Sequence, residues 1–274
     1  MTQITGHIRK MTSALQDGQV TYQLPLDDQL LDLMPLIGKP LTLEHSGNIH
    51  CQECGKKTKK SYSQGFCYPC MTKLAKCDMC IMKPETCHFD EGTCREPQWG
   101  EDNCFMPHYV YLANTTAIKV GITRHTQIPT RWIDQGANQA LPIFKVSSRL
   151  QSGLVETALK AFISDKTNWR NMLKGKADNI DLKQRAQELI PQIEEKLSEL
   201  QLRFGADAIE RLDADVVDID YPVTEYPTKI SSLNFDKTPR LGGTLLGIKG
   251  QYLYFDTGVI NLRKFTSYEI TAEY

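Results

Sequence analysis

The chain has 274 residues, 41% of them hydrophobic, which is enough apolar material for one large domain or two to three small ones. Its formal charge is −1 and it has no run of 18 apolar residues, which excludes a membrane-spanning helix. The opening MTQITGHIRKMTSALQDG lacks the apolar stretch and small-residue cleavage site of a secretory signal, so the expected location is the cytoplasm, with no membrane partner.

The near-neutral sum hides a strong asymmetry. Residues 105–176 hold ten Lys and Arg against three Asp and Glu (+7), whereas residues 177–236 hold six against fourteen (−8). A basic centre beside an acidic segment predicts a face that binds a polyanion, DNA or RNA; the alternative is solvated charge paired within the molecule.

In chain order, residues 1–49 form an N-terminal β segment with strand-like runs at 5–10, 20–24 and 40–44. It is too small for a comfortable domain and is expected to pair with the C-terminal end.

All nine cysteines follow, between positions 51 and 104. An odd count, the missing export signal and pairs separated by two residues point to metal knuckles rather than disulfides. Cys51-x2-Cys54-x12-Cys67-x2-Cys70 places two knuckles so that four thiolates can complete a tetrahedral zinc shell, and Gly55 suits the first turn. The rival is a redox C-x-x-C pair, which the absence of a thioredoxin-like βαβ pattern disfavours. Cys77-x2-Cys80-x6-Cys87-x6-Cys94-x9-Cys104 offers five cysteines for four places. Cys77 and Cys80 form its knuckle, two of Cys87, Cys94 and Cys104 complete the site, and His88 is structural. Residues 50–106 are thus expected to hold about two zinc ions, which supply most of their stability. The run KKTKK, with Tyr62 and Phe66 as stacking groups, could meet phosphates or could be a solvated hairpin.

Residues 107–176 read as hairpin, helix, strand, helix. Alternation over 109–112 and 118–122 gives the hairpin, with a turn at 114–116. Residues 130–138 are expected to be helical, 143–148 a third strand, and 153–164 a second helix with Leu154, Ala158, Leu159, Ala161 and Phe162 on its apolar face. Trp132 is either core or a base-stacking group, the core reading being favoured. Residues 177–225 form a helical acidic segment: Leu182, Ala186, Leu189, Ile193, Leu197 and Leu200 recur at helical spacing, and Pro191 should kink or divide the helix. Residues 226–274 alternate strands with Gly and Asp-Thr-Gly turns, and Gly242, Gly243, Gly247 and Gly250 read as hairpin and bulge residues rather than a nucleotide-binding loop. The fold class is α+β: a zinc-ribbon-like segment, a small α/β module, and a β-barrel or sandwich made from the two chain ends.

The order of elements in 107–176 resembles the GIY-YIG nuclease superfamily. Tyr109-Val110-Tyr111 stands where that family has Gly-Ile-Tyr, and Lys119-Val120-Gly121 where it has Tyr-Ile-Gly. Arg131 falls at the family's catalytic arginine, Glu156 at its metal-binding glutamate, and Asn168 near its late asparagine. The resemblance implies phosphodiester hydrolysis with Mg²⁺ or Mn²⁺ on Glu156, Arg131 holding the phosphate and Tyr111 helping to activate water. It also implies close approach of backbone or ligand at Gly121. Lys119 replaces the second tyrosine, and Asp134 and Gln135 stand where a histidine is often found. Lys119 could bind phosphate as a point charge, and could act as a base only with a strongly lowered pKa. The cysteine-rich segment followed by YVYLANTTAIKVGITRHTQIPTRWIDQGA also resembles an uncharacterised microbial family, a domain of unknown function, which supplies no activity to carry over. Two readings stand: a zinc-containing nucleic-acid-binding protein that is a metal-dependent endonuclease, or a non-catalytic binding or adaptor protein that keeps the fold.

Overall fold

The computed structural model of the protein describes residues 2–274. Strands β1 (Gln3–His7), β2 (Thr12–Gln16), β3 (Gln19–Leu26), β4 (Gln29–Asp32) and β5 (Pro40–Ile49) precede the cysteines. Strands β6 (His108–Asn114), β7 (Ile118–Arg124), β8 (Gln139–Val146), β9 (Ile209–Arg211) and β10 (Val217–Asp218) belong to the centre. Strands β11 (Arg240–Lys249), β12 (Tyr252–Phe255), β13 (Gly258–Asn261) and β14 (Tyr268–Glu273) end the chain.

The chain ends do pair. Strand β1 lies antiparallel to β14, with Gln3 opposite Glu273, and β14 continues onto β5. The result is an open six-stranded sheet, β1-β14-β5-β11-β12-β13, and no sheet closes into a barrel among the described residues. The expected barrel is therefore corrected: β1 and β13 are left as opposite edges, and closure is replaced by the three-stranded sheet β2-β3-β4, which shares a core with the larger sheet through Tyr22, Leu24, Leu43, Leu245 and Ile270. The strands β2 and β4 are additional to those read from the sequence. Gly247 sits at the register shift between β11 and β12, the bulge role expected of it.

Central strand β6 pairs with β7 on one side and β8 on the other. Its alternation serves two cores, because successive side chains leave opposite faces. Val110 and Leu112 join the helix Arg149–Leu159 and the helices of 182–204 in one cluster. Tyr111 and Ala113 face the other way, into the core shared with the chain-end sheets, beside Trp132 and Ile133. All six apolar residues expected on the acidic helix are buried, and Pro191 divides it into Leu182–Leu189 and Glu194–Phe204. The same cluster thus joins residues from both 107–176 and 177–225.

Helix boundaries moved for local reasons. The helix expected over 130–138 spans Thr130–Asp134, stopped by Gly136 at φ +70°. The helix expected over 153–164 begins earlier, at Arg149, because Ser148 and Gln151 form a capping box, and it ends at Leu159. The third strand starts at Gln139, four residues earlier than expected. Lys249, fully buried, ties β11 to the centre: its ammonium donates to Asn138 Oδ1 and Gly175 O, both at 3.0 Å.

Candidate metal centre and anion-binding site

The first four cysteines come together. In the first knuckle Gly55, at φ +69°, returns the chain so that its N–H donates to Cys51 O at 2.9 Å. The second knuckle starts a short helix, Tyr68–Lys73, with Cys67 as its N-cap. The sulfurs of Cys51, Cys54, Cys67 and Cys70 lie within 4.8 Å of one another, and Cys54 Sγ is 3.7 Å from Cys67 Sγ. A tetrahedron with Zn–S bonds of 2.3 Å has an edge of about 3.8 Å, so this geometry fits zinc. Burial opposes ionisation of Cys51, but the backbone N–H groups of Cys54, Cys67 and Glu53 outweigh it and bring that thiol down to about 6. The Cys67 sulfur, followed by burial, pushes Cys70 upward. The four cysteines can coordinate one zinc ion.

The other five do not group by the knuckle spacing. Cys77 packs with Cys51, Phe66 and Cys67, and its thiol faces Ser63. Cys80, Cys87, Cys94 and Cys104 line one cavity together with His88. His88 Nδ1 meets Thr93 Oγ1 at 2.7 Å, and His88, Asp78 and Cys80 present ligand atoms within 4.8 Å of one another. Phe66 is buried beneath the ammonium of Lys76 and is not available to stack a base; Tyr62 is half-buried.

The four residues singled out in the centre converge. Pairing places Tyr111 opposite Gly121 and Ala113 opposite Lys119, so Tyr111 and Lys119 share a face as diagonal neighbours. Gly121 is explained by its partner: a Cβ there would stand 2.7 Å from the Tyr111 ring and hydroxyl. The approach is that of a side chain across the hairpin. Tyr111 is fully buried, donates its hydroxyl to Gln135 Oε1 at 2.9 Å, and lies edge-on to Trp132. Burial pushes its phenol up to about 12, against the pull of Arg131 beside the hydroxyl. Tyr111 is therefore a neutral, positioned donor at neutral pH and not a proton acceptor.

Arg131 is exposed, carried by the first helix of the module. Lys119 is only 4% exposed; burial, then Arg131, bring its ammonium down to about 8, against the attraction of Glu156 and Asp165. Glu156, 8% exposed, is shifted upward by burial and is held by Lys160 at 3.1 Å, which also binds Asp165 at 3.2 Å. Lys160 already supplies the positive charge that a divalent ion would bring, and Lys119 and Arg131 are cations. As arranged, these residues do not fit Mg²⁺ or Mn²⁺. Asn168 caps the helix Trp169–Met172 by accepting from Asn171 N and takes no part. Trp132, 2% exposed, is core.

Three participants have no motif in the sequence. Arg263, from the C-terminal end, reaches Asp134 at 3.7 Å and feels the charge of Arg131. Arg149 donates to Ile81 O at 2.6 Å. Glu85, on the turn Pro84–Thr86, adds a negative charge near Glu156 and has a buried Oε2 without a partner. Each reaches its position through tertiary packing. The acidic segment neutralises part of the basic centre, through Glu210 on Lys145 at 3.1 Å and Asp220 on Lys176.

No curated protein and no solved structure shows a significant match to this chain. Residues 38–270 match the family described as protein of unknown function DUF2797. That match spans the cysteine knuckles, the Tyr111–Lys119 hairpin and the chain-end sheet from β5 as far as Ile270, leaving β1–β4 outside it, and the chain belongs to this family.

Proposed function

We propose that the protein binds the phosphate backbone of nucleic acid through the cationic site formed by Lys119, Arg131 and the Tyr111 hairpin, in a chain stabilised by zinc. The observation that carries this reading is the Glu156–Lys160 pair at 3.1 Å: with the carboxylate compensated internally, Lys119 and Arg131 are left to meet an external anion. Arg131 supplies a planar fork suited to phosphate, and Lys119 a point charge behind it. The adaptor form of the GIY-YIG resemblance, binding without cleavage, follows. Fluorescence anisotropy with labelled DNA and RNA tests it. Affinity should fall steeply between 50 and 200 mM salt as contacts to phosphate lose their counterion advantage, roughly by tenfold or more for even a few contacts. Arg131→Ala should weaken binding about tenfold and flatten the salt slope. Salt-independent binding, or none, would sink the proposal.

One observation favours a second reading, hydrolysis. A lysine brought down to about 8 has an appreciable neutral fraction near pH 8 and could take a proton from water. Cleavage by the wild-type protein that disappears in Lys119→Met, on substrates the variant still binds, would establish it.

A further inference from the structure

Beyond the first knuckles, the cysteine-rich segment encloses a second set of thiols that the sequence spacing divides differently. Cys80 comes from the short helix Met79–Met82, Cys87 follows the turn Pro84–Thr86, Cys94 lies in the next loop, and Cys104 ends the helix Pro97–Cys104. All four line one cavity with about 20 Å³ of room for a water-sized sphere, enough for a single ion and too little for an organic ligand. None is in a disulfide. Gly100 keeps this space open, since a Cβ there would lie 3.4 Å from Cys94 Sγ and 3.1 Å from the Phe89 ring.

Burial opposes ionisation of Cys80 and Cys104, and two guanidinium groups beside the cavity act against it. Four thiolates around Zn²⁺ carry a net charge of −2, and buried ions need partners. Arg149 stands beside Cys104 and Cys80, with a buried Nε that has no acceptor, and Arg124, held by Asn103 Oδ1, stands on the Cys104 side. Cys77 is absent from the cavity lining; it faces Ser63 and packs against the first knuckles.

We propose that Cys80, Cys87, Cys94 and Cys104 form a second zinc site of four thiolates, and that Cys77, although it opens a C-x-x-C knuckle, is a free thiol. Each ligand loses its proton to solvent as the ion binds, so uptake releases up to four protons per zinc. Asp78 and His88 offer an alternative with Cys80, since the three present ligand atoms within 4.8 Å of one another. Asp78, however, is engaged by Arg95 at 2.6 Å and by the Cys80 N–H at 3.2 Å, which makes it a support for the site. Through Cys87 the proposed ion would fix the end of the turn Pro84–Thr86, which packs on Gly153 of the helix that carries Glu156. This inference is independent of nucleic-acid binding.

The test is metal content by mass spectrometry combined with alkylation of the folded, zinc-replete full chain. Wild type should hold two zinc ions per chain; N-ethylmaleimide should modify Cys77 alone, slowly because it is partly buried, and leave the zinc count at two, with the other eight thiols protected until a strong chelator is added. Cys94→Ser and Cys104→Ser should each leave one ion, while Cys77→Ser and His88→Ala keep two. One zinc in wild type with Cys80, Cys87, Cys94 and Cys104 all freely alkylated would overturn the proposal, as would a drop to one ion in Cys77→Ser or His88→Ala. The alkylation pattern of wild type decides the matter even where a serine variant fails to fold.

Discussion

On the proposed reading, Lys119 carries most of the site's chemistry. Its ammonium is buried between the Tyr111 hairpin, Arg131 and the Glu156–Lys160–Asp165 group, and has come down from the ordinary 10.5 to about 8. A depressed lysine is protonated less readily in the folded state than in the unfolded one. Below about pH 8 the buried ammonium therefore costs stability, on the order of 3 kcal/mol, and that cost is relieved as pH climbs from about 8 towards 10.5. Lys249, also buried and brought down to about 8, adds a cost of the same sign but faces inward to Asn138 and Gly175. Binding gives the opposite pH trend. Phosphate attraction needs the charged form, so affinity should drop several-fold as pH rises from 7 to 9, where surface lysines are still protonated, and Lys119→Arg should abolish that drop. An affinity unchanged across this range would mean that Lys119 does not touch the ligand. Its position beside Gly121 was legible as a motif departure; its burial was not, because alternation alone does not reveal that both faces of the hairpin are covered.

The helix Arg149–Leu159 illustrates how an element can be read correctly in kind and incompletely in its contacts. Glu156, Leu154, Ala158 and Leu159 follow from helical spacing, whereas Ala161 and Phe162, expected on the same apolar face, lie past the helix end and are exposed; the capping box Ser148–Gln151 was present in the sequence to be found. What spacing could not show is that the turn Pro84–Thr86, some seventy residues earlier, lies directly on it. A Cβ at Gly153 would meet Pro84 Cβ at 2.6 Å and Glu85 N at 2.7 Å. Helix propensity favours alanine over glycine by about 1 kcal/mol, but the obstacle here includes backbone, which cannot rotate away. Gly153→Ala should therefore destabilise the protein by about 1–3 kcal/mol in denaturant unfolding, where an exposed helical glycine would show a gain. A more stable variant would show that the turn is not held against the helix. The division at Pro191 was legible, since one residue type without an N–H dictates it.

At the scale of the molecule, stability is unevenly distributed. The chain-end sheets and the central sheet each have a large apolar core, whereas the buried apolar cluster of the first knuckles comprises Cys51, Phe66 and Cys67. On the zinc reading, metal would supply what packing does not. Stripping zinc with a strong chelator should expose residues 50–106 to protease while the sheets persist, and limited proteolysis followed by mass spectrometry should locate the first cuts between Cys51 and Cys104. First cuts in the chain-end strands would contradict this. A candidate metal-binding segment was legible in nine clustered cysteines, and the first four do come together. Its partition was not, because the path of the chain through 78–104, with its short helices and turns, decides which sulfurs meet. The pairing of chain ends was legible from their insufficiency, while the open edge of the sheet depends on twist and on the covering strands β2–β4.

That pairing has a consequence for synthesis. Strand β5 is complete at Ile49, yet both its neighbours, β11 and β14, come from residues 240 onward, and β1 has β14 as its partner in the sheet. At about 5–20 residues per second, translation leaves these early strands waiting roughly 10–45 s for their partners. During that interval Leu41, Leu43 and Ile49 are unpaired sheet surface in a nascent chain, open to neighbouring nascent chains on the same message. The knuckles and the central hairpin, whose contacts are nearer in sequence, can form first, and the sheet that joins β5 to β11 and β14 can close only after them.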